Sequence, residues 1–206
     1  MKSCEYVYLE SYTNVLAVSI KKLEEFYGKK IILADRDLVE KSSDEILGKS
    51  KENNVAFLVI GDIFAATTHT DLLLRAKKKE IKVNFIHNAS VLTSVGLLGL
   101  ELYKYGKVTS IPFNYQNINT PIKVLKDNQS LGMHTLFLLD LDPLNNKFLT
   151  INECCKYLIS KGVDENTIGL GCAALGNEQK EIKMGTLNEL SNYNFLKYPQ
   201  CFVIPG

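Results

Sequence analysis

The chain has 206 residues, 46% of them hydrophobic, with 24 Lys and Arg against 23 Asp and Glu. That length permits one large domain or two of about 100 residues each. The formal net charge of +1 removes any electrostatic case for nucleic acid or an anionic membrane as partner.

Five cysteines (Cys4, Cys154, Cys155, Cys172, Cys201) give an odd count without a CxxC pair. His69, His87 and His134 stand far apart. This pattern suits reduced thiols in a cytosolic protein and argues against a zinc site. No run of 18 apolar residues occurs, and the opening MKSCEYVYLE is not a signal peptide. The expectation is a cytoplasmic protein without a membrane span.

In chain order, Cys4–Leu9 alternates into a strand. Asn14–Tyr27 predicts an amphipathic helix closed by Gly28. Lys30–Ala34 is a second strand, and Ser42 and Ser43 open a short helix with Asp44 and Glu45 in its first turn. Val55–Ile60 reads as a fully buried strand, broken at Gly61 and Asp62; a helix then starts near Thr68 or Thr70 and carries Leu72–Leu74 and Ala76. Val83–His87 predicts the next strand and Val91–Tyr103 an apolar helix containing Gly96 and Gly99. This alternation argues for a parallel sheet covered on both faces.

Past Gly106 the texture changes, which places a domain boundary near Lys107–Thr109 and divides the chain into 1–108 and 109–206. The strand VTSIPF is followed by the polar stretch Asn114–Thr120, and Pro121 starts a helix to about Asn128. His134–Leu141 reads as a buried strand and Asp142–Lys147 as a loop. Thr150 and Glu153 form a capping box for a helix through Ser160. The glycine-bearing strand Thr167–Leu175, a helix through Thr186–Leu190 and the apolar run Cys201–Ile204 complete the chain.

Ligands of open parallel sheets bind beyond the carboxyl ends of the strands. Gly61–Asp62, Asn88–Ser90 and Asp140 occupy such places. Asp62 is suited to accept from an amine or hydroxyl, and Ser90 with the following amides to hold a polar head at a helix start. There is no P-loop, no GxGxxG and no compelling Ser-His-Asp order. His69 reads as structural, helping to set the turn. Residue patterns alone therefore reach a two-part α/β protein with a small-molecule cleft, and no reaction.

Four long segments add to this. They are YVYLESYTNVL (Tyr6–Leu16), LVIGDIFAATTHTDLLLRA (Leu58–Ala76), FIHNASVLTSVGLLGLELYKYG (Phe85–Gly106) and GMHTLFLLD (Gly132–Asp140). Together they resemble the diphthine synthase family of eukaryotic type, within the tetrapyrrole-methylase-like methyltransferases. The resemblance implies two α/β domains with S-adenosyl-L-methionine in the cleft between them, and a homodimer. It implies methylation of the modified histidine of elongation factor 2, on the amino group and, in the eukaryotic form, on the carboxylate.

The cofactor-contact positions it carries over are Asp62, Ala65, Ser90, Val91 and Leu139, with Leu175 and Gln200 from the looser C-terminal match. No catalytic residue follows. Three departures stand out. The family opens on a strand and glycine-rich loop, YLIGLGLGD, with no counterpart before Lys2. The Asp142–Lys147 loop is shorter than the family's basic segment, and Ile63 replaces a proline. The missing loop leaves a second reading, a non-catalytic binding or dimer-partner protein. It also predicts exposed sheet edges.

Overall fold

The computed structural model describes residues 1–65 and 69–206. It divides into two compact units, Met1–Leu92 and Thr93–Gly206. The change of texture at Lys107–Thr109 coincides with the first strand of the second unit's sheet.

In the first unit, strands β1 (Tyr6–Glu10), β2 (Ile32–Ala34) and β3 (Val55–Leu58) form a parallel sheet of order β2-β1-β3. Its helices are α1 (Ile20–Tyr27), α2 (Arg36–Glu40), α3 (Asp44–Lys49) and α4 (Thr70–Lys78). Tyr8, Tyr12, Ala34, Val39 and Ile46 make the core, with Phe57 packed against it.

Four expectations change here. The first helix begins at Ile20, because the Ser19 side chain caps it by accepting from the Lys22 N–H. The Asp35 carboxylate likewise starts α2 by accepting from the Leu38 N–H, a helix the apolar pattern did not announce. Val55–Ile60 is half-buried rather than fully buried, since β3 pairs only with β1 among the described residues. Val83–His87 forms no strand and lies open to solvent, with Ile86 87% exposed. The helix predicted near Thr68 or Thr70 starts at Thr70; Ala66–Thr68 fall outside the described residues.

In the second unit, β4 (Thr109–Ile111), β5 (Thr135–Leu139), β8 (Ile168–Ala173), β9 (Glu181–Thr186) and β10 (Gln200–Ile204) form a mixed sheet of order β4-β5-β10-β8-β9. Only β4 and β5 run parallel; β10 is antiparallel to both its neighbours. The parallel sheet expected from the alternation before Gly106 is found in the first unit. A small hairpin of β6 (Leu141–Asp142) and β7 (Lys147–Phe148) replaces the expected Asp142–Lys147 loop.

The predicted helix Val91–Tyr103 shrinks to a single turn, α5 (Val91–Ser94), followed by two 3-10 turns. Gly99, at φ 75°, adopts the left-handed conformation that ends the first of these. Helix α6 (Thr120–Gln129) carries Pro121 in its first turn. Helices α7 (Ile151–Ser160) and α8 (Leu187–Asn192) each open with the full capping box, Thr150 with Glu153 and Thr186 with Glu189. Their buried faces join Phe137, Phe195 and Phe202 in one core.

Candidate functional site

The carboxyl end of β3 builds the first cluster. Gly61 has φ 102°, a conformation that glycine adopts without strain. The turn it makes presents Asp62, whose side chain is only 14% exposed. Asp62 Oδ1 accepts the Phe64 N–H at 2.9 Å. Oδ2 accepts the Asn88 N–H at 3.1 Å and meets His87 Nδ1 at 2.9 Å. These bonds, the Phe64 amide first and then His87 and Asn88, hold the Asp62 carboxyl below its ordinary value. It is therefore an anion at neutral pH, and with about four lone-pair sites it can accept roughly one bond more.

The same loop contains Ala65, whose N–H donates to the Asp62 carbonyl at 3.2 Å. Asn88 brings buried Ser90 and half-buried Val91 alongside. The structure thus ties Ala65 to the Asp62 backbone, and the Asp62 carboxylate to Asn88, two residues before Ser90. The helix after Ser90 is one turn long, so few aligned peptide dipoles act there.

Two neighbours escaped the sequence reading as site residues. His87 is held by Asp62 while its side chain stays 69% exposed, beside the ring of Phe64, which in turn meets Phe85. Its place at the end of an apolar run, before Asn-Ala-Ser, was the available signal. Glu10 is wholly buried at the end of β1. Its carboxylate accepts the N–H groups of Tyr12, Thr13 and Ile60, tying β1 to β3. The lone acid closing YVYLE pointed to it.

His69 is structural in a different way from that expected. It stands at the start of α4 without making a cap hydrogen bond. It is 6% exposed and packs against Phe57 and Tyr12. Burial pushes its imidazole toward the neutral form, partly opposed by Glu10 and Glu40.

Leu139, Leu175 and Gln200 belong to the second unit and share one edge of its sheet. Leu139 ends β5, Gln200 begins the antiparallel β10, and Leu175 follows β8 by two residues. Gln200 pairs with Ala173, and Cys201 with Leu138. The Gln200 side chain is used up internally: Oε1 accepts the Ile151 N–H at 2.8 Å, and Nε2 donates to the carbonyls of Lys197 and Phe195. Asp140, singled out as a strand end, accepts from the Phe113 and Leu141 amides.

All five cysteines are unpaired. Burial raises the thiols of Cys154 and Cys155, the latter to about 12, which keeps them protonated and unreactive. Among the described residues no group of His, Cys, Asp and Glu is arranged to hold a metal. No helix there is long and apolar enough to cross a membrane.

A family model for tetrapyrrole (corrin/porphyrin) methylases matches residues 1–191. The diphthine methyl ester synthase of Candida glabrata is 43% identical over 232 residues, spanning all of this chain and 78% of that protein. That of Dictyostelium discoideum is 39% identical, spanning all of this chain and 85% of its own. A crystal structure of diphthine synthase superposes with a TM-score of 0.91 at 32% identity, covering 99% of this chain and 80% of that one. With its two α/β units and this resemblance along its whole length, the chain belongs to the tetrapyrrole methylase family of methyltransferases, among the diphthine methyl ester synthases.

Proposed function

We propose that the chain is an S-adenosyl-L-methionine-dependent methyltransferase of diphthamide biosynthesis. Its substrate is the modified histidine side chain of elongation factor 2, methylated on the amino group and on the carboxylate. It works in the cytoplasm as a homodimer. The carrying observation is the whole-chain identity of about 40% with proteins named diphthine methyl ester synthase. The non-catalytic alternative has no support from them.

The residues present fit such a donor. Asp62 is an ionised, recessed carboxylate with about one acceptor site to spare, matched to a hydroxyl or ammonium group. Asp62, Ala65, Ser90 and Val91 of the first unit would hold it. The bound donor supplies an activated methyl group. The protein's part is to orient the acceptor, exclude water and remove a proton from the amine.

S-adenosyl-L-methionine should raise the melting temperature, with about 2.7 kcal/mol gained at a hundredfold excess over Kd. Asp62→Ala should shrink that shift, and mass spectrometry should find methyl groups added to partly modified elongation factor 2. Absence of both stabilisation and transfer overturns the reading.

A further inference from the structure

Methylating an amine near neutral pH requires that an ammonium first give up a proton, and the proposed function leaves the acceptor unnamed. We infer that His87 is that acceptor and that Asp62 is its positioning residue. The inference rests on the methyltransferase reading above.

The geometry is that of an oriented imidazole. Asp62 Oδ2 lies 2.9 Å from His87 Nδ1. The carboxylate is ionised and can only accept, so Nδ1 carries a proton, and in the neutral ring that leaves the lone pair on Nε2. The carboxylate is itself fixed by the Phe64 and Asn88 amides, which hold the pair in place on both sides. Nε2 has no partner among the described residues, and the side chain is 69% exposed, so an incoming group can reach it. Phe64 stands 5.9 Å from the imidazole, ring to ring, and 5.3 Å from Phe85, giving an aromatic wall suited to an alkylated ammonium.

The step balances simply. An N–H bond of the substrate ammonium breaks, its proton forms a bond to Nε2, and the freed lone pair on the substrate nitrogen becomes the nucleophile. The imidazolium then returns its proton to water through its exposed edge. His69 does not compete for this task, because it is enclosed by Phe57 and Tyr12.

The test uses the full chain and partly modified elongation factor 2. His87→Gln keeps the size of the side chain and removes its basicity. The expected result is a fall in N-methylation by about 10²–10⁴-fold, the usual worth of a general base. The base-labile ester methyl, whose acceptor is already an anion, should fall far less. The melting shift with S-adenosyl-L-methionine should persist. His87→Ala should regain N-methylation when imidazole is added to solution. Equal loss of N-methyl and ester methyl, or N-methylation that survives His87→Gln, overturns the assignment. A wild-type chain with neither stabilisation nor transfer overturns the parent reading and this one with it.

Discussion

Replacing Gln200 by Leu tests whether that residue braces the second unit. The substitution keeps the volume and removes every polar atom. The Ile151 N–H, in the first turn of α7, then loses its partner inside a fully buried residue. It is one of the donors that a helix start leaves without an intrahelical acceptor, and Thr150 already serves Glu153 instead. The carbonyl of exposed Lys197 can turn to water, and the bond to Phe195 is long at 3.4 Å, so both add little. One orphaned buried amide costs about 2 kcal/mol. For a chain of this length that lowers the melting temperature by about 4–8 °C. Urea unfolding and calorimetry of the two proteins side by side measure it. A loss below about 0.5 kcal/mol, the range of surface substitutions, would refute the bracing role.

Two further outcomes follow from the geometry. Asp62 has a depressed folded-state value, so its contribution is present above its unfolded value near 3.9 and disappears as pH falls through the folded one. The melting-temperature gap between wild type and Asp62→Asn should narrow as pH falls below about 4; a gap that persists unchanged through acidification to about pH 2 would sink the argument. Gly171→Ala places a methyl against the Phe195 ring and within 3.2 Å of Ile151 Cδ1. This overpacking should cost about 1–3 kcal/mol in urea unfolding, and a neutral result would mean that the aromatic cluster gives way freely.

What could be read from the residues was what the chain settles locally. The Thr150–Glu153 box and the Gly28 cap are signals within a few positions, and both stand where expected. Strand β9 was missed because EIKMGT is a polar, half-exposed edge whose existence depends on pairing with β8. Asp62 was found from its place after a strand, yet its three donors come from positions two to twenty-six residues away, so how its carboxylate is held could not be foreseen. Glu10 and His87 escaped for the same reason. Each is defined by a contact to another strand's end.

The segment Val83–His87 shows why local pattern and final state part company. VNFIH has the composition of a strand, and β-propensity expresses fit to a pleated, half-buried surface. Here the surface is missing. β3 pairs only with β1 among the described residues, and Val83, Phe85 and Ile86 remain exposed. What fixes the segment is its last step, where His87 and Asn88 bind Asp62 and Phe85 packs on Phe64. Side-chain anchors therefore take over the positioning that a ladder of backbone bonds would give. The internal bonds of the Asp62 cluster close among residues 61–90 by themselves, without a strand at Val83–His87.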